Sequence, residues 1–199
     1  DPSAKVRASA GITLRNFVGL AKDGKLLSRD GDRVRDALLN VVNRPNEDTE
    51  VRRRAIEAVA SFDTPDTNAI IRRAYQSDEP SLVQSAIYAM GQSSNPQWLP
   101  TVVDEMAHPE AAIRYEAATA GGLLGEESIV PHLIRLLRDD DLEVSLASIK
   151  SLGQIGGSLA KMALQQCLAD GDESIEEAAQ HAMSNIEFDD DPLGFRFES

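Results

Sequence analysis

The sequence predicts an all-α protein, an α-solenoid of about five and a half stacked helix pairs. Three observations carry that expectation: apolar anchors that return every 31 residues, helix-opening residues at a constant distance before them, and an aliphatic composition. Of 199 residues, 42% are hydrophobic but only 5% aromatic, so Ala, Leu, Ile and Val supply the apolar volume, as in closely packed helices. That share is enough to bury a core, and the length suits one domain or a short repeat array.

The anchors are Val6, Val51, Leu82, Ile113, Val144 and Ile175, the last five spaced by 31 residues. Four residues on stand Ala10, Ala55, Ala86, Ala117, Ser148 and Ala179, all small. Eight on stand Leu14, Val59, Met90, Gly121, Leu152 and Met183. Positions i, i+4 and i+8 share one face of a helix, and the small residue at its middle admits a neighbouring helix. A second stripe follows in the middle units, on Ile71, Val102, Leu133 and Leu164, then Tyr75, Met106, Leu137 and Leu168. Each unit is therefore a first and a second amphipathic helix, and neighbouring units must stack to bury both.

Taken in order, unit one opens at Asp1, and the next units start near 46, 77, 108, 139 and 170. The residues at those starts, Asp1, Asn46, Ser77, His108, Asp139 and Asp170, are expected as N-caps, five of the six being favoured types. Pro2 and Pro109 then fall at the first helical position, and Thr64-Pro65 and Asn95-Pro96 repeat the signature before second helices. Unit one is 14 residues longer than the rest, with the excess near Val18–Asp32 between its helices. A functional loop, a surface insertion or a longer helix each fits. Asp23-Gly24 and Asp30-Gly31 read as turns around a short ordered piece, Lys25–Arg29. Unit six has only a first helix, Asp172–Ile186, so the solenoid spans 1–187 and an acidic-aromatic tail follows at 188–199. Phe188, Leu193, Phe195 and Phe197 either fold back over the open end or form a docking peptide. Asp1 opens directly into a repeat, which reads as a fragment or processed chain with further repeats before it.

The stretches EVRRRAIEAVASF (Glu50–Phe62), AIRYEAATAGGLLGEESIVPHLIRLLRD (Ala112–Asp139) and EVSLASIKSLGQIG (Glu143–Gly156) resemble HEAT repeats, and are most similar to the short bacterial type also found in phycobilin lyases. The resemblance covers roughly 1–187. It implies a right-handed solenoid with the second helices lining the concave side. In function it implies a non-enzymatic scaffold for a protein or peptide partner, with a bilin lyase or chaperone-like factor as the enzymatic alternative.

Charge narrows the partner. The formal charge is −13. Residues 1–73 hold 14 basic and 11 acidic side chains, net +3, while 74–199 hold 6 and 22, net −16. An acidic chain is a poor polyanion binder, so nucleic-acid binding, which some HEAT-like glycosylases show, is disfavoured. Second-helix positions off the buried stripe nevertheless carry arginines: Arg33, Arg35 and Arg44, then Arg72 and Arg73, then Arg135 and Arg138. With Val103 and Ile134 as an apolar floor and Trp98 as an anchor if exposed, the candidate partner-binding residues are Arg35, Arg72, Arg73, Trp98, Val103, Ile134, Arg135 and Arg138. The competing readings are ordinary solvated helix surface for the arginines and a Trp98 packed between repeats.

No catalytic, metal or cofactor site is expected. The clusters Asp139-Asp140-Asp141-Glu143, Asp170-Asp172-Glu173 and Asp189-Asp190-Asp191 do not fit an EF-hand loop, and the first two fall where carboxylates cap helices. His108, His132 and His181 occupy different repeat positions with no HExxH, and the His-Glu dipeptides of the di-iron HEAT hydroxylase are missing. The single cysteine, Cys167, excludes an internal disulfide and reads as a small buried hydrophobe. Gly121-Gly122 and Gly156-Gly157 begin no phosphate-binding loop. With neither a 20-residue apolar run nor a signal pattern, no membrane is expected and the location is cytoplasmic.

Overall fold

Helices form where the 31-residue register puts them. The computed structural model describes residues 1–22, 25, 27–169 and 172–190, and among these all regular structure is helical. The first pair is α1 (Ala4–Lys22) and α2 (Ser28–Val42), the second α3 (Thr49–Val59) and α4 (Pro65–Tyr75), the third α5 (Pro80–Gln92) and α6 (Leu99–Glu105). The fourth is α7 (Ala111–Leu124) and α8 (Val130–Leu136), the fifth α9 (Leu142–Ile155) and α10 (Gly157–Cys167), and α11 (Glu173–Asp190) opens the sixth. Short 3-10 turns extend α3 and lead into α6 and α8. The chain divides into two compact units, Asp1–Asn95 and Pro96–Ser199, so the boundary falls inside the third pair.

In the first unit α3 is central, with α1 and α5 against it and α2 and α4 beside it. Val51, Ala55 and Val59 are buried, as are Ala86 and Met90 on α5 and Ile71 on α4, which is the expected stripe. α1 departs from it. Val6 is 51% exposed, and Ala8 and Val18 are buried instead. Two residues are about 200° of helix rotation, so the turn that brings Ala8 and Gly11 against α3 carries Val6 away. The close approach is real: a Cβ on Gly11 would stand 3.0 Å from the Arg54 Cβ.

The extra length of unit one goes into helix. α1 has 19 residues and α2 has 15, against 11 each for α3 and α4. Asp30 and Gly31 lie inside α2 and are not a turn; Asp23-Gly24 lies outside the described residues, as does the tail beyond 190.

The caps stand two residues later than expected. Asp48 accepts N–H bonds from Glu50 and Val51, Asp141 from Glu143, and Asp172 from Ser174 and Ile175. The residues first expected to cap close a turn just ahead of each helix. Ser77 Oγ, His108 Nδ1 and Asp139 Oδ1 each accept the N–H two residues on, from Glu79, Glu110 and Asp141. Side chains that mimic a turn and side chains that cap a helix are the same types, hence the offset. Pro109 accordingly precedes α7 and Pro2 precedes α1. At α4 the expectation holds: Thr64 caps the Thr67 N–H and Pro65 opens the helix.

In the second unit α9 lies between α7 and α11, with α8 and α10 alongside. Close approach again rests on a residue without a side chain, since a Cβ on Gly153 would stand 2.7 Å from the Ala182 Cβ and 2.9 Å from its Cα. Buried serines answer carbonyls left free near the end of α8: Ser148 donates to Leu133 O and Ser145 to Leu136 O. Cys167 is buried on α10.

Candidate functional site

The turn between α2 and α3 meets the outer side of α4 and the start of α5, and a groove of about 340 Å³ opens there in the first unit. Its apolar part is Val42, Ile56, Ile70 and Leu82; its polar rim is Arg44, Arg52 and Arg73 with Ser77. No acidic side chain lines it. The three guanidinium groups are held by the fold. Arg73 Nη2 donates to Asn43 Oδ1 at 2.8 Å, Arg52 Nη2 to the Arg44 carbonyl at 3.2 Å, and Arg44 Nη1 to Glu47 Oε2 at 2.8 Å. A guanidinium has five N–H donors, so each keeps donors for a further acceptor.

Two other arginines show what this fold does with a carboxylate. Arg7, on α1, meets Glu47 through Nη2 at 2.6 Å and Nε at 3.2 Å, and the Glu47 side chain is 1% exposed. In the second unit Arg114, on α7, holds both oxygens of Asp139 at 2.6 and 2.7 Å. The Arg7 hydrogen bond keeps the Glu47 carboxyl below the usual carboxylate range, and Arg114 does the same for Asp139.

The expected binding residues separate. Arg73 lies in the groove; Arg72, next to it on α4, is exposed but not among the groove residues. Arg35 on α2 bonds Asp32 at 2.8 Å and Asp36 at 3.0 Å on its own helix. Trp98 is 5% exposed, in the turn before α6, which is the packed placement and not that of an exposed anchor. In the second unit Val103 on α6 and Ile134 on α8 are half-buried, Arg135 is exposed in the last turn of α8, and Arg138 is exposed just past it. Arg52 escaped the reading of second helices because it stands on a first helix. Lining up the units would have found it: Arg7, Arg52 and Arg114 each follow an anchor by one residue.

A second, more apolar groove of about 500 Å³ runs between α9 and α11, with Leu146, Lys150, Glu177 and His181 along it. The acidic clusters of the described residues are absorbed by structure, as Asp141 and Asp172 cap helices and Asp139 pairs with Arg114. Among the described residues no helix is long and apolar enough to cross a membrane.

Successive helix pairs, with first helices packed on first helices within each unit, define an α-solenoid repeat protein. The chain belongs to the HEAT-repeat family: the model for HEAT repeats matches residues 35–104 and 99–184. Among solved structures, it is similar to the CpcE–CpcF complex of phycocyanin lyase from Nostoc sp. PCC7120, at 18% identity and a TM-score of 0.59, over 76% of this chain and 64% of that one. A designed armadillo repeat protein in complex with the peptide (KR)4 is similar at 14% identity and a TM-score of 0.55, over 92% and 91%. An engineered protein is similar at 20% identity and a TM-score of 0.53, over 94% and 92%. A comparison with curated proteins finds no match.

Proposed function

We propose that this HEAT-repeat chain is a non-enzymatic scaffold that binds an acidic segment of a partner protein. The observation that carries the reading is the groove of the first unit, where Arg44, Arg52 and Arg73 converge over an apolar floor with no acidic side chain lining it. On a chain of net charge −13 such a concentration of arginine is unexpected on average composition. Guanidinium groups recognise carboxylates through paired hydrogen bonds, and complementary charge orients the encounter. The designed armadillo protein of similar fold is in complex with a basic peptide; the opposite charge of this groove favours an acidic one. Arg135 and Arg138, with Val103 and Ile134, are a second contact surface on the second unit under the same reading.

Charge reversal tests the proposal. Replacing Arg72 and Arg73, or Arg135 and Arg138, by Glu should weaken retention of partners on the immobilised protein. Unchanged retention for both pairs removes the acidic-partner reading and leaves the scaffold. A second reading follows from the likeness to the phycocyanin lyase complex: a bilin lyase or chaperone-like factor. Mixing the protein with a bilin and recording its visible spectrum decides it, since a shifted band supports the lyase reading and an unshifted one opposes it.

A further inference from the structure

Three repeats of this chain carry arginine one residue after the anchor, at Arg7, Arg52 and Arg114. Each donates to a carbonyl of the turn ahead of its own helix: Arg7 Nη1 to Asp1 O at 2.7 Å, Arg114 Nη1 to His108 O at 2.9 Å, and Arg52 Nη2 to Arg44 O at 3.2 Å. Arg7 and Arg114 are then answered by a carboxylate from the next inter-repeat turn, Glu47 and Asp139. Arg52 is not. The residue 25 positions on, where Asp139 stands for Arg114, is Ser77. Ser77 also lies in the groove with Arg52.

The backbone at the two places is alike. Ser77 Oγ accepts the Glu79 N–H at 3.1 Å, as Asp139 Oδ1 accepts the Asp141 N–H at 3.0 Å. The turn is therefore built to hold a carboxylate facing Arg52, and a side chain too short and neutral to be one occupies it. No carboxylate among the described residues forms an ion pair with Arg52 or with Arg73, which shares the groove. The third repeat confirms the logic from the other side: it has Val83 at the arginine position and needs no acid, and His108 closes the turn.

From this we infer that the groove holds a socket for one carboxylate, supplied by an Asp or Glu side chain of a partner's peptide, which Arg52 binds in the place that Asp139 fills for Arg114. Arg73 and Arg44 flank the socket, and Ile56, Ile70 and Leu82 receive an apolar residue beside the acidic one. The inference deepens the scaffold reading and rests on its acidic-partner form. It names the ligand group and the residue that meets it.

The discriminating variant is Ser77→Asp, which supplies the missing carboxylate within the chain. The probe is a fluorescein-labelled octapeptide of alternating Glu and Leu, followed by anisotropy with the full chain. The wild type should bind it. Ser77→Asp and Arg52→Gln should each weaken binding by about tenfold or more, the loss of a charge-assisted contact, while the neutral Ser77→Asn should not. Ser77→Asp should also melt above Ser77→Asn, which shows that the introduced acid has paired rather than misfolded the groove. Equal binding by Ser77→Asp and Ser77→Asn, or wild-type binding by Arg52→Gln, overturns the socket but leaves the scaffold standing. A wild type that ignores the peptide overturns the socket too; the scaffold is then judged by the charge-reversal retention experiment alone.

Discussion

Glu47 illustrates how much one carboxylate does here. Almost wholly buried, it accepts from Arg7 on α1, from Arg44 at the end of α2, and from the Asp48 backbone N–H at the start of α3. Replacing it by Gln removes charge-assisted bonds and leaves two arginines short of a partner, so Glu47→Gln should lower unfolding stability by about 2–4 kcal/mol in denaturant titrations. The pH dependence has a definite sign. Because the folded carboxyls of Glu47 and Asp139 titrate below their ordinary values, their stabilisation is complete above the ordinary carboxylate range and is lost as pH falls through the lowered ones. Acid unfolding of the double variant Glu47→Gln, Asp139→Asn should therefore be shallower than that of the wild type. An equally steep acid loss in both would show that these pairs do not govern it. At this scale the sequence was read well where periodicity spoke and badly where it did not. The anchors from Val51 on are buried, but Val6 is exposed because α1 turns its small residues, not its apolar ones, toward α3. Arg52 was missed because its meaning lies in the acid that Ser77 is not.

Among elements, the first helices carry the stacking within each unit, and glycine sets their spacing. Gly153 and Gly19 make a matched pair. In an open helix, Gly→Ala gains about 1 kcal/mol from backbone entropy and propensity. Gly19 has nothing within 4 Å of a new Cβ, so Gly19→Ala should gain that amount. Gly153→Ala should instead lose about 1–3 kcal/mol as α9 and α11 are forced apart, because the obstruction includes the Ala182 backbone. Thermal denaturation of both variants checks the contrast; stabilisation by both would contradict the packing. Helix starts have a parallel test. Asp48→Ala should cost about 1 kcal/mol, since Asp48 and not Asn46 caps α3. Element order and type were legible because each repeat restates the pattern. The two-residue error in the caps was not avoidable from composition, since turn-closing and capping residues draw on the same side chains.

For the whole molecule, the register made the fold class readable, and the match to HEAT repeats over 35–104 and 99–184 agrees with it. Charge was less informative than it first looked. The net value of −13 describes helix starts and surfaces, whereas binding depends on where three arginines converge. That convergence draws on the α2–α3 turn, α3 and α4 together, which no single stripe of the sequence displays. The central claim is that an acidic partner engages the first unit through Arg52. Its most direct test is a titration of the nitrogen-15-labelled protein with the acidic octapeptide, followed through the arginine Nε–H resonances. The account predicts that Arg52, Arg73 and Arg44 shift together and saturably, while Arg35, held by its own helix, and Arg114, already held by Asp139, stay in place. Shifts confined to Arg135 and Arg138, or no saturable shift at Arg52, would contradict it.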